Sequence, residues 1–558
     1  MTRPALAATL VALATLAAAP ARAQDRPSEQ DMFGGGEKAP APDAGAPAAK
    51  APEGAKAAPS TPAAEPNAPP AAATSVASPA RGSSDASDRD TSLLGAGTAP
   101  EHLSDYIAPD NPLQIGGQLY LRSQTSGRQG NDAWSLTAPS LLDVYMDARP
   151  NPRVRAFIQG RMSFDPTAPP GSATTNQVQN GSNGAFAGTS ATGFTTFSNL
   201  RGPTTLLDQM WIRFDIMNHV FVTAGKQHVR WGTGRFWQPT DYLHPIKRNP
   251  LDVFDARPGT TMLKLHVPWE SRGWNFYAFA VTEDPNEATQ QLKQVAGAAR
   301  AELVILGAEV GLDTFLKNGQ KPRFGIDLST GIWELDVYGD VGIRSGQDFC
   351  VATHAPPMVP PPGAPPNPDL FPPSPEGVCP ASVPFLPGTP QAFLDQARKF
   401  NLAPLSGVMV QAVGGVNWSH KYNDNDMFTL GAEYFYNQPG YSDTSLYPGI
   451  LFNSNNTPVL NFFYTGRQYV AVFASFPQPY SWNLTTFTLS TLSNITDQSY
   501  ISRLDYSYTL LTHISLEAFA GVHYGHTSGE FRFGIDLPGV AKVDPLFIDL
   551  GVALRLKL

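Results

Sequence analysis

The last ten residues, Asp549-Leu-Gly-Val-Ala-Leu-Arg-Leu-Lys-Leu558, alternate without a break. Leu550, Val552, Leu554, Leu556 and Leu558 share one parity, while Asp549, Arg555 and Lys557 share the other. Successive side chains of an extended strand point to opposite faces, so this stretch has one apolar face and one charged face. A helix would scatter both sets around its axis. The same pattern recurs upstream. In Leu113–Arg122, Leu113, Ile115, Leu119 and Leu121 oppose Gln114, Gln118, Tyr120 and Arg122. In Asp143–Arg149, Val144, Met146 and Ala148 oppose Asp143, Tyr145, Asp147 and Arg149, and a Pro150-Asn151-Pro152 turn follows. Val154, Ala156, Ile158 and Met162 then oppose Arg153, Arg155, Gln159 and Arg161. Comparable stretches lie near 206–216, 219–229, 261–268, 273–282, 303–313, 322–330, 334–344, 408–420, 427–437, 467–476, 483–492, 499–510 and 513–524.

Alternation alone also suits a soluble sandwich. Three features favour an all-β, transmembrane antiparallel barrel. The strands are about ten residues long, the length that crosses a bilayer at a tilt. Connections alternate short and long, as in Met217-Asn218-His219 against the stretch 165–204. Aromatic residues gather near strand ends (Trp274, Trp418, Tyr434, Tyr436, Tyr500 and Tyr508), as interfacial girdles require. No run of 18 apolar residues follows residue 24, so helical spans are excluded. The terminal stripe resembles the signal strand read by the outer-membrane barrel-assembly machinery, with Leu558 where Phe is usual. Seventeen strands are recognisable, but bacterial single-chain barrels have even numbers. Placing the long connections on one side works from the front and from the back, and the two frames disagree by one strand between 283 and 345. The expectation is 16 or 18 strands.

Composition separates the chain into parts. Of its 558 residues only 16% are charged, and 53 are Pro and 49 Gly. Phe33 is the lone aromatic residue before residue 101. Residues 1–23 read as a secretory signal, with Arg3, an apolar run from Ala5 to Ala19 and Ala21-Arg22-Ala23 before the cleavage point. Residues 24–105 form a Pro/Ala-rich segment too poor in apolar bulk to offset its ordering entropy, hence a disordered periplasmic linker able to reach toward the cell wall. The barrel occupies 106–558. A net charge of -9 with no basic block argues against nucleic acid as a partner. Two cysteines are too few for a disulfide scaffold, and neither cofactor nor metal is expected.

The long connections carry the chemistry. The stretch 345–407 holds Cys350 and Cys379 around a Pro-rich run, and two cysteines in one exported loop read as a disulfide. The stretch 230–258 differs from its Gly/Ser/Thr-rich neighbours. It is dense in Arg230, Trp231, Arg235, Phe236, Trp237, Asp241, Tyr242, Lys247, Arg248, Asp252, Asp255 and Arg257, five cations against three carboxylates. Amphipathic rings and mixed charge suit a loop folded inward, where it narrows a pore and sets its field. A packed cap that seals one end is the alternative. On the inward strand faces Arg149, Arg153, Arg155 and Arg161 form a basic ladder, and Glu309, Asp327, Glu334, Asp336 and Asp340 make the middle acidic. The ladder either draws anions or consists of cross-strand ion pairs lining a wet interior.

Gly225-Lys-Gln227-His-Val-Arg-Trp231-Gly232, Pro250-Leu-Asp252, Asp255-Ala-Arg257-Pro258 and Gly431-Ala-Glu433-Tyr434-Phe-Tyr436-Asn437 with Gly440-Tyr441 resemble patches of Gram-negative outer-membrane porin-like barrels, of the alginate-export or carbohydrate-porin style. The resemblance implies a channel for small solutes in outer-membrane lipid, without an enzymatic activity. Two other classes stay open. One is a plugged structural or adhesive barrel. The other is a barrel hydrolase, since His526-Thr527-Ser528 places a base and a nucleophile on one side of an extended chain. The reading that combines residues and resemblance is a channel for small polar or anionic solutes.

Overall fold

A computed structural model describes residues 112–557 except 131, 133, 169–202, 218, 245–246, 252–256, 284–290, 355–395, 397–398, 424–425, 449–462 and 540. The signal and linker readings for 1–23 and 24–105 therefore lie outside the described residues, as do Cys379, Asp252 and Asp255.

Eighteen long strands run in chain order around the sheet. They are β1 (Leu113–Arg128), β2 (Ser140–Asn151), β3 (Val154–Phe164), β4 (Thr204–Ile216), β5 (Val220–Gln227) and β6 (Thr260–Trp269). Then come β7 (Trp274–Val281), β8 (Ala296–Ile305), β9 (Ala308–Leu316), β10 (Arg323–Ile332), β11 (Leu335–Ser345) and β12 (Val408–Lys421). The last six are β13 (Met427–Asn437), β14 (Gln468–Pro477), β15 (Thr485–Asn494), β16 (Ser499–Leu511), β17 (Ile514–Gly525) and β18 (Leu546–Lys557). Each pairs antiparallel with its sequence neighbours, and β1 closes on β18 with Leu121 opposite Leu554 and Arg122 opposite Ala553. A short strand, Ser135–Thr137, extends β1 at the long-loop end. The result is a closed barrel with no free sheet edge along its seam.

The strand missing from the sequence reading lies where the parity argument put it. The stretch 303–313, read as one strand, is the hairpin of β8 and β9, and Leu306 and Gly307 turn the chain with φ of 54° and 83°. Two consecutive positive φ values make the tight turn whose twist matches the flanking strands. Leu303-Val-Ile-Leu306 keeps apolar residues up to the turn itself, and Ala296-Gly-Ala-Ala-Arg-Ala301 offers little alternation to betray β8. The count is therefore eighteen.

The faces are those of a barrel in lipid. Val144, Met146, Ile212, Leu263, Leu312, Ile326, Leu430, Val472, Leu489, Leu504, Val552 and Leu554 are exposed, while Arg122, Asp143, Arg161, Asp327, Asp340, Glu433, Arg503, Asp549 and Arg555 are buried. A soluble protein shows the reverse. The C-terminal stripe behaves as its parity requires, with Leu550, Val552 and Leu554 outward and Asp549 and Arg555 inward. Eight short turns join β2–β3, β4–β5, β6–β7, β8–β9, β10–β11, β12–β13, β14–β15 and β16–β17 at the end that also holds the start of β1 and the end of β18. Every long connection leaves the opposite end.

The interior holds its own apolar core. Phe236, Trp237, Leu251, Phe435, Phe463, Tyr464, Tyr469, Phe473 and Phe531 cluster there, drawn from wall strands and from three long loops. A barrel of this strand number is too wide for wall side chains alone to fill, so loops must enter for such a core to exist.

Candidate functional site

The connection between β5 and β6 leaves the rim and turns inward at once. Gly232 has φ of 91°, and a Cβ there would lie 2.3 Å from the Asp340 carboxylate of β11, so the chain passes tight against that wall. The first leg is fastened along β10 and β11. Thr233 Oγ1 donates to the Gly339 carbonyl (3.0 Å), Thr240 Oγ1 to Asp340 Oδ2 (3.1 Å) and the Tyr242 hydroxyl to the Phe324 carbonyl (2.8 Å). Beyond it, the backbone N–H groups of Arg235, Phe236 and Trp237 donate to the Glu433 carboxylate of β13 at 2.7, 3.1 and 2.9 Å. The Trp237 indole donates to the Phe463 carbonyl (2.9 Å), and Arg235 stacks over the Phe473 ring of β14, 3.8 Å from its centroid. On its return the loop gives the Leu251 carbonyl to Arg503 of β16 (3.2 Å). In an 18-strand ring β14 stands nine places from β5, directly opposite. The loop therefore crosses the lumen.

The residues expected at the constriction divide by burial. Arg230, Arg235 and Lys247 keep partial exposure. Trp231, Asp241, Arg248 and Arg257 are buried. Trp231 packs edge-on against Phe279 (5.4 Å between centroids) and Tyr242 (6.5 Å), so it wedges the loop base to the wall. Arg257 and Asp241 pair at 2.9 Å and staple the two legs of the loop together. The Lys247 amine donates to the Gln238 and Asp241 carbonyls, both at 3.4 Å. Burial, and next the Arg344 guanidinium, push it down to about 7. Burial pushes the Tyr242 hydroxyl up to about 12.

Arg149, Arg155 and Arg161 lie on the wall of β2 and β3 and Arg153 in the exposed turn between those strands, each against a carboxylate. Arg149 and Arg155 share Asp147 (2.9 and 3.0 Å), Arg153 grips Asp215 (2.9 Å), and Arg161 bridges Asp143 (2.7 Å) and Asp208 (3.0 Å). On the far wall Arg300 holds Glu302, Asp313 and Asp327 at 2.7–2.8 Å. Ion pairs of this kind satisfy buried charge in a lumen that needs polar walls.

One feature was not singled out from the sequence. Tyr145, Phe157, Trp211, Phe221, His266 and Tyr277 form a belt of rings on the lumen face of β2–β7. Tyr145 stacks on Phe157 (5.8 Å), Phe157 on Trp211 (5.6 Å) and His266 on Tyr277 (4.5 Å). Arg155 lies over Trp211, Arg213 over Phe221 and Lys264 over Tyr277. The available signal was parity: Tyr145 and Phe157 share the face of Asp147 and Arg155, where lipid-facing rings have no place.

The remaining long loops interlock above the core. Glu530, in the β17–β18 connection, accepts from the Phe463 and Thr465 amides, the Tyr469 hydroxyl (2.7 Å) and the Asn494 amide (2.8 Å). Asp497, between β15 and β16, accepts from the Glu530 N–H (2.8 Å), the Tyr447 hydroxyl (2.8 Å) and the Asn494 amide (2.9 Å). Burial, then the neighbouring Asp497 charge, push the Glu530 carboxyl up to about 7. His526 and Ser528 are both exposed, and neither side chain makes a hydrogen bond among the described residues. Glu530 and Asp497, the acids beside this turn, are both engaged in the loop joint, and neither is paired with His526 among the described residues, so the geometry a Ser–His nucleophile needs is not assembled. Cys350 is buried at the start of the short strand Cys350–His354, which pairs with Phe400–Pro404.

No family model matches the chain, and no curated protein matches it. Among solved structures it resembles OccAB1 of Acinetobacter baumannii, at 9% identity over 80% of this chain and 97% of that one, with a TM-score of 0.42. A mutant porin of Rhodopseudomonas blastica matches at 9% identity over 80% of this chain and 100% of that one, with a TM-score of 0.35.

Proposed function

We propose that this chain is an outer-membrane channel for small polar or anionic solutes, with the β5–β6 loop as its constriction. The observation that carries the reading is the course of that loop, which spans the lumen from β5 to β13 and β14 while Arg230, Arg235 and Lys247 keep partial exposure. A cation-bearing bar across a lumen whose near wall adds Arg213 and Lys264, beside arginines already matched by carboxylates, favours anions at the narrowest point. The ring belt on β2–β7 gives a solute with an apolar ring a surface to slide over. Long connections face outward, short turns face the periplasm, and residues 24–105 tether the barrel from the periplasmic side, within reach of the cell wall. Cys350 and Cys379 close their loop as a disulfide, and β18 is the strand presented to the assembly machinery.

Planar-bilayer recording of the purified full chain under a salt gradient tests this. Anion-selective steps, with selectivity reduced in Arg235→Ala and Lys247→Ala, are expected. Cation preference, or no change on those substitutions, removes the reading. A plugged barrel is the second reading, favoured by the wholly buried lumen core of Trp237, Phe463 and Phe531. It predicts no conductance at all.

A further inference from the structure

Three consecutive backbone N–H groups converging on one carboxylate form an anion nest, a concavity whose dipoles suit a negative charge and nothing else of that size. In this protein the nest belongs to the crossing loop, at Arg235, Phe236 and Trp237, and the carboxylate belongs to the opposite wall, at Glu433. Glu433 is 1% exposed, and its fourth bond comes from the Tyr338 hydroxyl of β11 at 2.9 Å. No cationic side chain forms an ion pair with it among the described residues, so the three N–H groups and the hydroxyl supply its stabilisation. Together with the stacking of Phe236 and Trp237, the Arg235–Phe473 contact and the Trp237 bond to Phe463, these bonds fasten the loop's farthest point, and they are the ones that tie its backbone to the wall. Closer to β5, the hydrogen bonds of Thr233, Thr240 and Tyr242 fasten it to β10 and β11, which lie to one side. We propose that Glu433 is the latch that holds the constriction loop across the lumen, and that its release swings the loop tip away and widens the passage. This makes Glu433 a positioning residue for the constriction, and in its second part the inference rests on the channel reading above.

Glu433→Gln tests the latch with almost no change of shape. The amide oxygen can accept from one or two of the N–H groups, but its NH2 then faces the remaining donors. Hydrogen bonds to a charged group are strong enough that their loss should raise the open population of the loop tip about ten- to a hundredfold. Cleavage of a transiently open segment tracks that population. Trypsin reads it, because Arg230, Arg235, Lys247 and Arg248 lie in the loop. The expected result is a folded barrel, still shifting its electrophoretic mobility only on boiling, that is cut between Arg230 and Arg248 at least about tenfold faster than wild type. Glu530→Gln, which frees the Phe463 segment instead, should leave that interval slower to cut than Glu433→Gln does. Equal resistance of folded Glu433→Gln and wild type overturns the latch. Should Glu433→Gln fail to fold, Tyr338→Phe removes one of the four bonds and must show the same cut at a smaller increase, or the latch falls. Conductance is read in parallel. A conducting wild type whose cut-prone variant carries unchanged current overturns the link between latch and bore. A silent wild type with a cut-prone variant keeps the latch and removes the channel reading.

Discussion

The indole of Trp237 lies on the ring of Phe435 with 5.4 Å between centroids and 17° between planes. One ring comes from the loop after β5 and the other from the wall strand β13, so this stack joins opposite sides of the barrel. Trp237 is also wholly buried and gives its N–H to Phe463. Trp237→Ala should destabilise the folded barrel by about 3–5 kcal/mol in denaturant titrations in lipid. Trp237→Phe, which keeps a ring and loses the hydrogen bond, should cost about 1 kcal/mol. Equal losses for both would mean that the stack contributes nothing.

On the proposed channel reading, Lys247 gives the crossing loop a charge that changes near neutrality. Its amine is held down at about 7 by burial, so it is charged below that value and neutral above it. Anion preference should therefore fall as pH rises through about 7. Because the folded state resists protonation of this amine, the loop itself should become more stable between about 7 and the ordinary 10.5. Lys247→Met should flatten the selectivity step. Reversal potentials over that range measure it.

Glu530 carries the opposite sign. Its folded value of about 7 lies above the ordinary 4.5, so between the two the folded protein holds more protons than the unfolded chain. Stability of the loop joint is full below 4.5 and declines as pH rises toward about 7. Hydrogen exchange at the Phe463 and Thr465 amides should be better protected, relative to intrinsic rates, on the acid side. Glu530→Gln should remove the dependence, and a dependence that persists would show that Glu530 is not its source.

Val552 lies midway along β18 and faces outward. Val552→Arg should cost about 2–4 kcal/mol if lipid covers that face at mid-depth. On a water-facing surface the same change falls within about 0.5 kcal/mol. Unfolding in detergent or lipid decides between them.

The wall of this barrel was legible residue by residue. Parity placed Asp549 and Arg555 inward and Val552 and Leu554 outward, because a strand with lipid on one side and water on the other cannot mix its faces. β8 escaped because alanine and glycine satisfy either face, and the Leu306-Gly307 turn sits inside an apolar run. The crossing loop was legible as an inward-folding element from its rings and charges, but its fastening was not. Glu433 stood out in sequence only through the patch around Tyr434, and nothing local says that its carboxylate receives amides from Arg235 to Trp237, some 200 residues earlier. The ladder arginines were visible, whereas the partner Asp208 comes from the next strand and its pairing depends on register. Arg161 meets Asp208 because a bulge between Gln159 and Gly160 shifts that register.

The crossing loop also has a place in time. It is made with β5, yet its receptor is β13, and the stack beneath it needs β14. Contacts so distant along the chain form late, since long segments must be ordered first. While the wall is still growing, Arg235 to Trp237 have no carboxylate to meet. The seating of this loop therefore marks the stage of assembly at which the far wall exists, and protease resistance of the Arg230–Arg248 interval serves as a clock for barrel maturation.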